Sequence, residues 1–179
     1  MANIILQPAS DDISRTNYEA TIEKSVDISL ILPHLNQETT TELNQYTREE
    51  GLHIWGVKSN HQTAWHKMQR GDLVLFARDN RFFSKAEVIA KIDSVPLANQ
   101  LWGNYDDNGN TWNLIYFIRK PKPENISYVE FNNIVGYQRR FVPQRFQVLD
   151  SIFSLFPNTK STFSCSNNFI QPKGVHGVK

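Results

Sequence analysis

The tightest constraint on how this chain can fold lies between residues 71 and 93. "GDLVLFAR" opens on Gly71-Asp72 and runs into consecutive apolar residues, a strong strand signal. "DNRFF" reads as a hairpin connection and "SKAEVIAKIDSV" as the returning strand. Two further runs, "HIWGV" and "TWNLIYFIRK", read as strands on the same grounds. With 179 residues, 40% of them hydrophobic, there is enough apolar material for one domain with a real core plus attachments.

Around these strands the pattern is mixed. Residues 2–6 read as a short strand or arm stopped by Pro8, and Tyr18, Ile22 and Val26 recur at the spacing of one helix face. Asn36 is placed to cap a polar helix through "QETTTELNQY", anchored by Leu43 and ended by Gly51. "NHQTAWHKM" reads as a loop and a helical turn, and "PLANQLW" as a short helix with Pro96 at its start. "PKPEN" reads as a loop, "SYVEFNNIV" as a short helix or irregular segment, and "QVLDSIFSLFP" as a C-terminal helix. The polar stretch from Asn158 reads as a mobile tail or linker. Strands spread among short helices, without regular alternation, predict an α+β fold: a small curved sheet or barrel with peripheral helices. The expected organisation is a helical extension over 1–50, a main domain over 51–157 and a tail over 158–179.

Several function classes lose support here. No apolar run approaches the length of a membrane span, and the N-terminus lacks the basic region of a signal peptide, so a cytoplasmic location is expected. The single cysteine, Cys165, excludes an internal disulfide and a Cys-rich zinc site. "GNYDDNGN" lacks the Gly-Lys-Ser/Thr ending of a phosphate loop and the oxygen spacing of an EF-hand. His53, His61 and His66 show no ligand spacing, and no Gly-x-Ser-x-Gly elbow exists. No metal, cofactor or catalytic group is expected.

Charge is uneven along the chain. Residues 1–50 hold nine acidic and three basic side chains, whereas residues 51–179 hold nine acidic and sixteen basic ones. That asymmetry suggests a polyanionic partner for the basic part. All four tryptophans, Trp55, Trp65, Trp102 and Trp112, fall inside it. Unpaired bases are held by stacking on aromatic faces, with edge hydrogen bonds from groups such as Ser and Asn. Trp55 and Trp112 lie mid-strand, where core packing competes with a role as pocket wall; Trp65 and Trp102 adjoin loops and are expected as walls. Ser59 and Asn60 are the expected edge readers, with Phe82 or Phe83 at the rim. Lys58, Arg78, Arg81, Arg139, Arg140 and Arg145 are candidates for phosphate contacts.

At these residues a resemblance appears. Trp55, Lys58-Ser59, Trp65, Gly71-Asp72 and "LVLFA" resemble, in order and spacing, the opening of EVE domains, which join YTH and ASCH domains in the PUA-like superfamily. Leu101-Trp102, Trp112, residues 114–118 and the "EFNN" segment look like the YTH variant. The resemblance covers about residues 52–150. It implies a base pocket at Ser59, Asn60, Trp65 and Trp102, and a binding module that takes a methylated or hydroxymethylated base flipped from duplex DNA. The N-terminal start is similar to proteins in which such a domain precedes a nuclease in modification-dependent restriction systems. No nuclease or motor motif occurs here, so a nuclease domain or subunit is expected as a partner. Two alternatives stay open: an RNA-binding YTH- or PUA-like module, and an ASCH-like enzyme acting on a small nucleotide.

Overall fold

In the computed structural model, residues 2–47 and 51–149 are described. In chain order the elements are β1 (Ile4–Pro8), α1 (Asp12–Tyr18) running into a π-helical turn (Glu19–Glu23), α2 (Ile28–Ile31), and α3 (Gln37–Thr47). Then come β2 (His53–Val57), a 3-10 turn (Ser59–His61), α4 (Gln62–Lys67), β3 (Leu73–Arg78) and β4 (Arg81–Asp93). The remainder is α5 (Val95–Trp102), β5 (Leu114–Ile118), β6 (Lys122–Ser127), α6 (Tyr128–Val135) and β7 (Gln147–Leu149).

The strands form one seven-stranded sheet in the order β2-β5-β4-β3-β1-β7, with β6 paired to β4. The hairpin between β3 and β4 turns on Asp79 and Asn80, whose φ angles of 50° and 61° suit a tight primed turn. β4 then reaches further than the others. Its first half pairs with β3 and β6 and its second half with β5, with register shifts along the way. Such irregularities bend a strand and increase its twist.

Curvature decides where the core sits. β1 and β5 are separated by β4 and β3, a gap of about 14 Å in a flat sheet. Yet the Tyr116 hydroxyl of β5 donates to Gln7 Oε1 of β1 at 3.2 Å. The sheet therefore curls on itself, and Ile5, Trp55, Val57, Val74, Phe76, Val88 and Tyr116 fill its inside as one cluster. The alternate residues face outward and are covered as well. Ile54, Ile115 and Phe117 pack with Ile31, Leu43 and Leu97 from α2, α3 and α5. Leu6, Leu75 and Phe82 pack with Tyr128 and Phe131 of α6. This two-sided burial explains why the strands read as continuous apolar runs.

Local signals hold these helices in place. Asn36 Oδ1 accepts from the Thr39 amide at 2.8 Å at the start of α3. Ser127 and Glu130 form a reciprocal capping box on α6. The Gly71-Asp72 pair acts structurally, since the buried Asp72 carboxylate accepts from the Asn3 and Gln69 amides, both at 2.8 Å, and ties the N-terminal strand to the start of β3.

Several expectations need correction. The strand read over 2–6 is not stopped by Pro8: β1 runs through it and lies inside the sheet between β3 and β7. Val26 bridges Leu52 instead of continuing a helix face. Residues 122–125 of "PKPEN" belong to β6, a mostly exposed strand whose outer edge tolerates Pro123. Gln147–Leu149 is a strand on β1, where an open edge outweighs helical spacing. Residues from 150 onward, including the expected tail and the rest of the expected C-terminal helix, lie outside the described residues.

Candidate nucleic-acid interface

At the C-terminal end of β2 the curled sheet opens into a cavity of 280 Å³. Its aromatic walls are Trp55, Trp112 and Phe146; Asn60, Gln7 and Asp11 add polar groups; Lys58 and Arg145 add charge. The volume lies near the lower edge of small-molecule pockets, which run from about 300 Å³ upward.

Four segments far apart in sequence build it. β1 ends there with Gln7-Pro8, and the turn after it supplies Asp11 at the start of α1. β2 contributes Trp55 to Val57, and the 3-10 turn after it supplies Asn60 and His61. Trp112 precedes β5, and residues 144–146 precede β7.

Gly56 makes the junction possible. A Cβ built on it would collide with the Trp112 carbonyl and lie 2.5 Å from the Trp102 ring. Only a residue without a side chain lets both tryptophans settle on the strand. Trp112 is braced from its other side by Tyr105, edge-on at 5.1 Å, and Lys58 Nζ sits 4.2 Å above the Tyr105 ring. Tyr105 is fixed by its loop, in which Asp106 accepts from the Asn108 and Asn110 amides.

The deep polar group is Gln7, only 6% exposed. Its Nε2 donates to the Pro8 carbonyl at 2.9 Å. A carbonyl can only accept, so the amide orientation is fixed and Oε1 faces Tyr116. Burial pushes the Tyr116 phenol well above its ordinary range, which keeps its proton on and donating. Trp55 is also deep, and its indole N–H has no hydrogen-bond partner among the described residues. His61 is pulled below the usual histidine range by burial, and then by the charges of Arg145 and Lys58.

The expected site residues separate into groups. Trp55, Asn60, Lys58 and Arg145 line this cavity together. Ser59 is exposed on the same turn but outside the lining. Trp65 is 6% exposed in the core, with Lys91 Nζ 4.5 Å over its ring and bonded to the carbonyls of Trp65, His66 and Met68. Trp102 packs in a different cluster, its Nε1 donating to Thr21 Oγ1 at 3.4 Å. The expected slot between Trp65 and Trp102 is therefore not what their packing provides.

Phe82 is fully buried against Tyr128 and Phe131, so it cannot form a rim. Phe83 and Arg78 line a second cavity instead. Arg81 bonds Asn125, and Arg139 and Arg140 are exposed beyond α6 and line neither cavity.

Gln7, Asp11, Trp112 and Phe146 also line the cavity, and of these only Trp112 carries a sequence expectation, divided between core packing and pocket wall. The one sequence signal toward Phe146 was the basic, aromatic run "GYQRRFVPQRF". Gln7 gave a weaker one, a polar residue closing an apolar strand. Among the described residues no group of three or more His, Cys, Asp or Glu side chains could hold a metal, and no helix is long and apolar enough to cross a membrane.

No family model matches the chain, and no curated protein does. Among solved structures, the N-terminal domain of Thermococcus gammatolerans McrB bound to m5C DNA is similar, with a TM-score of 0.62 and 17% identity. The match covers 90% of this chain and 99% of that one. The chain thus shares the α+β fold of the McrB N-terminal domain.

Proposed function

We propose that this chain is the modified-base reading module of a modification-dependent restriction system. It binds duplex DNA, and one methylated or hydroxymethylated base leaves the stack, at a cost of a few kcal/mol, and enters the cavity beside Trp55 and Trp112. The observation that carries this reading is that cavity, with aromatic walls, uncommitted polar capacity and a cationic rim, in the fold of a domain solved on m5C DNA.

Each group contributes differently to binding. Trp112 offers the stacking surface, worth about 1–3 kcal/mol per base. Asn60 presents a donor and an acceptor to the base edge. Arg145 and Lys58 meet the flanking phosphates, and Arg139 and Arg140 extend the positive surface along the duplex. A methyl group at the base gains about 0.8 kcal/mol from burial, roughly fourfold in affinity, so the shape of the cavity supplies the rest of the preference. The work is binding; cleavage belongs to a nuclease domain or subunit.

Fluorescence anisotropy on duplexes with a single m5C, 5-hydroxymethylcytosine, N6-methyladenine or no modification tests this. Tighter binding to one modified duplex, lost in Trp112→Ala, is expected. Equal binding to all four would remove the proposal. Matching RNA strands separate it from an RNA-binding module. Lys58 and Asp11 line the cavity together, the basic and acidic pair that an enzyme acting on a nucleotide would need. Incubating the chain with modified nucleosides, with no product expected, separates that alternative.

A further inference from the structure

Reading 5-methylated cytosine raises a problem that apolar contact cannot solve. Thymine carries the same methyl group at C5 and is present throughout any duplex. The two bases differ at their polar edge. Cytosine donates from N4 and accepts at N3 and O2, whereas thymine accepts at O4 and donates from N3. A pocket that admits one and rejects the other needs an acceptor facing the position-4 substituent, a donor facing N3, or both.

Resting on the function proposed above, we infer that Asp11 is the residue by which this pocket rejects thymine. Asp11 lines the same cavity as Gln7, Trp55 and Trp112. Its Oδ1 accepts from the Ser14 amide at 2.9 Å, which fixes the carboxylate on the first turn of α1 and leaves acceptor capacity on the group. Burial works against its charge, but hydrogen bonds from Ser14 outweigh it and hold the carboxyl below the ordinary aspartate range. At neutral pH it is an acceptor with no proton to give.

The opposite polarity lies deeper. One Gln7 Nε2 hydrogen is used by the Pro8 carbonyl, which leaves the other as a donor on a side chain that lines the cavity. That Gln7 donor matches N3 or O2 of cytosine, and the carboxylate matches its N4 amino group. Thymine would set O4 against the carboxylate at the exposed mouth and its N3 proton against the buried Gln7 donor, two mismatched pairings.

At this helix start the dipole favours a carboxylate over a neutral cap only modestly. Asn and Ser cap as well as Asp does. A carboxylate beside Lys58 and Arg145 also repels the phosphates that those side chains attract. Its presence is explained if it accepts a hydrogen bond that neither an amide nor a hydroxyl would make selective.

The test uses Asp11→Asn and Asp11→Ser, both of which keep the cap. Anisotropy is measured on duplexes that differ at one position: m5C·G, C·G and a T·G mismatch. The mismatched thymine is the more easily unstacked, so rejecting it is a stringent demand. The wild type is expected to favour m5C·G over T·G by about tenfold or more. Asp11→Asn, which can present its amide N–H to O4, should bring the two within about threefold of each other while keeping the preference for m5C over C. Asp11→Ser should narrow the m5C-to-thymine ratio as well. If both variants keep the wild-type ratio, Asp11 is only a helix cap and this inference is overturned, while the reader function stands. If the wild type does not separate m5C from C, this inference is overturned, while the reader function falls only if none of the modified duplexes is preferred.

Discussion

The β2–β5 ladder has a cavity of 280 Å³ at each end, and the two are made differently. At the His53 end, Tyr18, Phe83 and two prolines surround Arg78, whose guanidinium lies 3.9 Å over Phe83 and 5.7 Å from the Tyr18 ring centre. There the cation is laid on the aromatic rings, covering the surface a base would need. At the Val57 end the cation on an aromatic ring is Lys58, and it sits on Tyr105, one ring removed from the wall. Trp112 is braced but not covered by that cation, and the deep polar groups keep hydrogen-bonding capacity. Aromatic residues with basic neighbours do not by themselves make a base pocket; which ring the cation occupies separates the two ends.

Substitutions at both ends would break or sharpen this contrast. The largest effect is expected from Gly56→Ala, because its Cβ collides with backbone and ring carbons that cannot swing away. A loss of about 1–3 kcal/mol in stability by denaturant melting should accompany the loss of modified-base preference. Next, Trp112→Ala should cost about 1–3 kcal/mol in binding to the preferred modified duplex, whereas Phe83→Ala at the other cavity should leave the preference intact. Equal losses in both would erase the distinction between the two ends.

Arg145→Ala should weaken modified and unmodified DNA alike and lower the salt slope of binding by about 1, with Arg78→Ala changing it less. Last, His61 is held neutral by burial and by Arg145 and Lys58. A bound phosphate would favour its protonated form, so affinity should rise as pH falls through the range below the ordinary histidine value. Stability runs the other way: with a depressed folded-state pKa, protonation at low pH erodes folding. A pH titration of affinity that is unchanged in His61→Gln would remove His61 from the interface.

Much of the fold was legible, for reasons that are local. Asn36 and Leu43 marked the cap and the anchor of α3, and Ser127 with Glu130 lies in the segment read as a short helix. Asp79-Asn80 fixed the hairpin, since these residue types tolerate positive φ. The misreadings came where pairing partners decide. Gln147–Leu149 carries helical spacing yet adds a strand to β1, and "PKPEN" has loop composition yet pairs with β4.

The site shows the same division. Lys58, Asn60 and Arg145 could be named from residue type and setting, because charge and amide chemistry belong to the side chain itself. Which indoles face a cavity could not. Trp65 adjoins a loop, but Lys91, 26 positions away, closes over it; Trp112 looks like core, but Gly56 and Tyr105 hold it at an opening. By itself the sequence determined the strands, the caps and the basic, aromatic chemistry available, all set within a few neighbouring residues. Only the tertiary structure decided that Gln7, Asp11, Trp55 and Trp112 would meet at one mouth, because the curl of the sheet brings strand ends together that are distant along the chain.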